Sequence, residues 1–154
     1  MITEDYVSFE TAKLLKEKGF DEPCYQYYLT TKTLHTTFHD RVHVEEEPFF
    51  NSSGLNGLYE VSNKTLFEDI CSAPTLQMAM KWLREVHNLF IEIQYATALF
   101  SQPHTTIYFR IYYMSLDYST SGKDMLPDDY IREYYNSYEE ACEAAIKYCL
   151  ENLI

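Results

Sequence analysis

His35, His39 and His43 recur at intervals of four within "LHTTFHDRVHVEEE", residues 34–47. On a helix such spacing stacks imidazoles about 6 Å apart on one face, and two of them would grip a zinc ion. On a strand they also share a face, but four residues span about 13 Å, too far for a common ion. The stretch 25–47 is rich in Thr, Tyr and Val and poor in helix formers, so it reads as extended. In that register Leu34, Phe38, Val42 and Val44 face one side, while His35, Thr37, His39, Arg41, His43 and Glu45 face the other. A solvated strand face accounts for this pattern, and a three-histidine metal site is the competing reading.

Other chemistry-bearing residues are sparser. Cys142 and Cys149 stand seven apart among Ala141, Ala145, Ile146 and Tyr148, which suits small buried side chains on a helix. Nucleophilic work would require a nearby base and a lowered thiol pKa. Glu45–Glu47, Asp128–Asp129 and Glu139–Glu140 are close acids in polar stretches, and nothing sets them opposite one another across a cleft. His87 lies on the apolar arc of a helical segment, where a hydrogen-bonded boundary histidine is expected. Tyr108, Arg110, Tyr112 and Met114 alternate along one side of a strand and form a candidate interaction strip. No P-loop, GxSxG, HExxH or dinucleotide fingerprint occurs, and no cofactor is implied.

These residues need elements to position them. A helix is predicted from Ser8 to Lys18, with Phe9, Ala12 and Leu15 on one face and Gly19 as its stop. Asn56-Gly57 suits a tight turn into a strand "LYEVS" over 58–62. The strongest helical pattern follows Ser72 or Thr75 as cap and Pro74 in the first turn. Its stripe runs Leu76, Ala79, Met80, Leu83, Val86 and Phe90, widened by Met78, Trp82 and Leu89, as expected of a central and most buried helix. "LFIEIQYA" and "TTIYFRIYYM" then alternate as two strands joined through "SQPH" in an antiparallel hairpin. A short helix is expected from Pro127, and a last helix from Ser137 to about Leu153.

One phrase, Tyr-x-Ser-aromatic-Glu-x-Ala, occurs at both ends as "YVSFETA" (6–12) and "YNSYEEA" (135–141). Ser8 and Ser137 each stand where a helix begins, and carboxylates follow in the first turn. Only the second copy has the full box, Ser137-x-x-Glu140. The phrase therefore reads as one capping solution used twice.

Charge narrows the function classes. The 154 residues carry 12 Lys and Arg against 24 Asp and Glu, for a net −12. Residues 72–122 hold three of each sign, so the excess acid lies on either side of this central third. Direct binding to nucleic acid or anionic membranes needs a basic patch and is not expected. No apolar run approaches the ~20 residues that span a bilayer, and the acidic start lacks a signal-peptide pattern. Four cysteines without a CxxC pair suit reduced thiols in a cytoplasmic protein, where the Asn51 and Asn63 triplets would not be glycosylated.

Three phrases together resemble a known group: "YVSFETAKLLKEKGFDE" (6–22), "SAPTLQMAMKWLREVHNLFIEI" (72–93) and "SYEEACEAAIKYCLENL" (137–153). They are similar to a family of small uncharacterised proteins from the genomes, prophages and mobile elements of gut anaerobic bacteria. The tryptophan-containing phrase is the most specific, and residues 25–70 are where such relatives vary most. The resemblance implies a bacterial or phage cytosolic setting and an accessory role, with no activity or catalytic residue to carry over.

The expected fold is α+β in a single domain, 1–154, with a mainly antiparallel sheet packed against a central helix and two terminal helices. The expected function is binding of a protein partner, or self-association, without catalysis. Two alternatives stand beside it. One is a small ligand-binding domain or enzyme using the His-containing strand or His87. The other is an acidic DNA-mimic inhibitor, which would array carboxylates in rows.

Overall fold

The computed structural model describes residues 3–36, 62–64, 66, 68, 70–97, 105–114 and 122–154. The chain groups into two compact units, Met1–Thr75 and Leu76–Ile154. Each contains a three-stranded antiparallel sheet with helix against it, so the α+β class holds, with the strands divided between two sheets.

In the first unit, Ser8 opens helix α1 (Phe9–Glu17) from an extended backbone, and its hydroxyl accepts the Thr11 N–H at 3.3 Å. Thr11, Ala12 and Leu15 are buried. The helix stops because Gly19 takes φ +88°, a left-handed conformation that costs glycine nothing. Phe20 N–H then reaches the Leu15 carbonyl at 2.9 Å and Gly19 N–H the Lys16 carbonyl at 3.1 Å, satisfying two carbonyls of the last turn.

The sheet order is β2-β1-β3, with β1 at Gln26–Tyr28, β2 at Leu34–Thr36 and β3 at Cys71–Ser72. The expected single extended stretch is broken early. Lys32 at φ 62° donates its N–H to the Leu29 carbonyl at 2.8 Å, turning the chain into a hairpin without a glycine. Of the two residues expected as the cap of the following helix, Ser72 lies in β3 and Thr75 directly precedes the helix, which starts at Leu76. α1 lies against β3, and Lys16 Nζ ties the two together through the Ile70 carbonyl at 2.6 Å. The Tyr28 hydroxyl donates to the Val7 carbonyl at 2.8 Å, and Val7 N–H donates to Pro74. The Asn56-Gly57 turn, the body of the strand expected over 58–62 and the "SQPH" turn lie outside the described residues.

In the second unit, helix α2 (Leu76–His87) leads through Asn88, at φ 58°, directly into β4 (Leu89–Thr97). β5 (Thr105–Tyr113) pairs with β4 over nine consecutive residues, as the alternation predicts, and β6 (Lys123–Asp124) flanks β5. The odd-numbered face carries buried Leu89, Ile91, Ile107, Phe109 and Ile111. Helix α3 (Tyr138–Asn152) packs on that face, where Tyr148 meets the Phe109 ring at 6.2 Å, and α2 lies beside α3 and against β4. α3 buries Ala141, Cys142, Ala145, Ile146, Cys149 and Leu150, whereas α2 buries only Leu76, Ala79, Trp82 and Leu83. The more buried helix is thus α3, not the central one. The buried stripe of α2 ends sooner than its pattern predicts: Val86 is exposed, and Phe90 belongs to β4 and is exposed too.

Ser137 caps α3 as expected, accepting the Glu140 N–H at 3.1 Å. The Glu140 carboxylate reaches back to the N–H of Asn136 at 3.0 Å, one residue before the cap. The short helix expected from Pro127 does not form. A turn closes with Tyr130 N–H on the Pro127 carbonyl, and the chain then returns to β5 at Tyr135. Met125 N–H bonds the Ile111 carbonyl and Tyr135 N–H the Ile107 carbonyl, both at 2.8 Å. Tyr130, Tyr135 and Tyr148 surround Phe109, which stabilises this route by aromatic burial. Among the described residues no helix is long and apolar enough to cross a membrane.

Candidate interaction surface

The even-numbered face of the β4–β5 hairpin is the more open one, and it carries the strip singled out by sequence. Register sets Phe90 opposite Tyr112, Glu92 opposite Arg110 and Gln94 opposite Tyr108. Tyr108, Arg110 and Tyr112 are half-buried, and Met114 is 48% exposed just beyond the strand. The four expected residues therefore line one side of β5 and its end, and Phe90, 39% exposed, extends the apolar patch onto β4.

Hydrogen bonds hold this surface in shape. The Tyr108 hydroxyl donates to Gln94 Oε1, and Gln94 Nε2 donates to Glu92 Oε2 at 2.8 Å. Arg110 Nη1 donates to the Tyr112 hydroxyl at 3.4 Å. Gly122 approaches closely: a side chain there would meet Tyr112 Cβ at 3.3 Å and the Met114 sulfur at 3.4 Å. Two residues outside the expected set join the patch. The Arg132 guanidinium lies 4.3 Å from the Tyr108 ring centre, a cation–π contact, and Tyr134 meets Tyr108 edge-on at 6.2 Å. The helical reading of 127–135 concealed them. The aromatic content of "YIREYY", with Ile131, is the sequence signal against a helix there.

Among the described residues, the remaining candidates do not assemble into a reactive site. His35 pairs with Tyr27 in β2, whereas His39 and His43 lie outside the described residues, as does the pair Glu45–Glu47. Among the described residues no group of three His, Cys, Asp or Glu side chains is placed to hold a metal. His87 closes α2 with its ring edge-on to Trp82 at 4.5 Å. Contrary to the expected hydrogen-bonded histidine, its buried Nε2 has no partner among the described residues. Burial lowers its pKa and favours the neutral ring.

Cys24, Cys71, Cys142 and Cys149 are all buried thiols outside any disulfide. Burial pushes the thiols of Cys71 and Cys142 up to about 11 and that of Cys149 to about 12, the reverse of an activated nucleophile. Asp128 and Asp129 are exposed, and Glu139 and Glu140 occupy the first turn of α3. Several other acids sit beside lysines: Glu10 with Lys32 at 2.6 Å, Asp21 with Lys64 at 2.6 Å, Glu85 with Lys81 and Glu151 with Lys147. Comparison of the chain with protein-family models, curated proteins and solved structures finds no match.

Proposed function

We propose that this protein is a non-catalytic accessory protein of the cytoplasm that binds a protein partner through the even-numbered face of β4–β5. The observation carrying this reading is the continuous patch of Phe90, Tyr108, Arg110, Tyr112 and Met114, extended by Arg132 and Tyr134. Tyr, Phe, Met and Arg are the residue types enriched where protein interfaces concentrate their energy. Here they are held by neighbouring hydrogen bonds before any partner arrives, which limits the ordering entropy of binding. Arg110 and Arg132 suit a partner surface that combines an apolar patch with carboxylates. The raised thiol pKa values of Cys71, Cys142 and Cys149 favour binding over catalysis.

The test is affinity capture from the native host with wild-type bait and with Arg110→Ala and Tyr112→Ala baits, followed by titration of the purified captured protein. The wild type should bind it, and each variant should bind at least about tenfold more weakly, as for a central interface residue. Equal affinity for all three baits would sink this reading.

A further inference from the structure

β4 is the border strand of the β4-β5-β6 sheet, and the phase of its hydrogen bonds is set by one contact. Met114 N–H donates to the Asn88 carbonyl at 2.9 Å, so the pair Asn88–Met114 is of the hydrogen-bonded type. Antiparallel pairs alternate between bonded and non-bonded. Phe90, Glu92, Gln94 and Ala96 therefore aim their backbone groups at β5, and Leu89, Ile91, Ile93, Tyr95 and Thr97 aim theirs away from it. The same alternation holds across β5, where the outward carbonyls of Ile107 and Ile111 are taken by Tyr135 and Met125. One border of the sheet is thus closed by residues 123–135. The other offers a five-residue ladder with no strand beside it among the described residues.

Open borders are usually blunted by proline, lysine, a bulge or brevity. β4 has none of these: it is nine residues long, contains neither Pro nor Lys, and pairs with β5 without interruption. Its Phe90 and Tyr95 side chains are 39% and 59% exposed, one on each face of the strand.

We infer that β4 pairs antiparallel with β4 of a second copy of this chain, about a two-fold axis at Ile93. This register brings Ile93 opposite Ile93 of the second copy and is the one that uses all nine residues of both strands. It sets Ile91 opposite Tyr95, Phe90 opposite Ala96, and Glu92, the sole charge on β4, opposite Gln94. The amide of Gln94 already donates to the Glu92 carboxylate within the chain, so the two groups are matched in chemistry and share a face. Sliding the axis to Glu92 would place two carboxylates directly opposite each other, which is unfavourable. The dimer rests on the outward backbone groups of the odd-numbered β4 residues, whereas the proposed partner binding is tested at Arg110 and Tyr112 of β5, so each can fail without the other.

Light scattering after size exclusion, on the full chain over a dilution series, should show a species of twice the 18.2-kDa chain mass that dissociates on dilution. Gln94→Glu keeps an acceptor for the Tyr108 hydroxyl but faces Glu92 of the second copy twice per dimer, raising the dissociation constant about tenfold. The double variant Glu92→Gln/Gln94→Glu exchanges the two groups and should restore the dimer. Hydrogen exchange on the wild type should show the amides of Ile91, Ile93 and Tyr95 protected only where the dimer forms, with Glu92 and Gln94 protected throughout. The inference is overturned by a monomer at the highest concentration, or by association that Gln94→Glu leaves unchanged. Protection of the odd-numbered amides that is independent of dilution, or their protection only when another protein is added, overturns it as well.

Discussion

The side chain of Asn63 donates its amide to the backbone carbonyl of Phe20 at 2.6 Å, pinning the exit of α1 from 43 positions away in sequence. The same side chain accepts the Ser72 N–H at 2.9 Å, and it is buried. Asn63→Leu removes the hydrogen bond to the Phe20 carbonyl and the acceptor of the buried Ser72 N–H. It should cost about 2–4 kcal/mol, read as a drop in chemical-denaturation midpoint. A midpoint within error of wild type would show that water or a neighbour replaces both bonds.

The two serine caps invite a paired measurement. Ser8→Ala and Ser137→Ala each remove one acceptor for a free helical N–H and should each destabilise by about 1 kcal/mol. Glu140→Ala should add a further loss in α3, because its carboxylate serves the Asn136 N–H. The matching change in α1 has no counterpart, since Thr11 stands at that position.

Asn88 holds a left-handed backbone between α2 and β4 while its carbonyl accepts from Met114. Asn88→Ala should cost about 1 kcal/mol, because a β-carbon without a helpful side chain is disfavoured there. Asn88→Gly should be near neutral by the same reasoning. Thermal denaturation of the two variants, expected to differ in this order, checks the claim.

His87 gives a pH dependence of defined sign. Burial lowers its folded pKa below the ordinary 6.5, so above that pH both folded and unfolded chains carry the neutral ring. As pH falls below 6.5, the unfolded chain takes up the proton first, and stability declines until the lowered folded value is reached. The fall in melting temperature between pH 7.5 and 5.5 should be smaller in His87→Leu than in wild type. Parallel curves would remove His87 as the cause.

Much of this architecture was legible wherever a short-range rule decided it. Ser8, Gly19 and Ser137 mark helix ends through local hydrogen bonds, and the alternation of Leu89, Ile91, Ile107, Phe109 and Ile111 reports one buried face. Sequence and structure diverge where distant pairing outweighs local pattern. Residues 127–135 follow β5 because Tyr135 bonds Ile107 and its neighbours surround Phe109, partners that no window around Pro127 contains. The hairpin at Lys32 lacks the glycine that announces such turns, and β3 is only two residues long. The strip Tyr108–Met114 was found by period alone, whereas Arg132 and Tyr134 reach it only through the fold.

The four thiols are apportioned evenly, Cys24 and Cys71 in the first unit and Cys142 and Cys149 in the second, and all four are shielded from solvent. The molecule therefore carries its own pair of reporters in each half. An alkylating reagent that spares the folded chain will mark Cys24 and Cys71 when one half opens, and Cys142 and Cys149 when the other does. Mass spectrometry of the labelled peptides can time those two openings independently, with no residue altered.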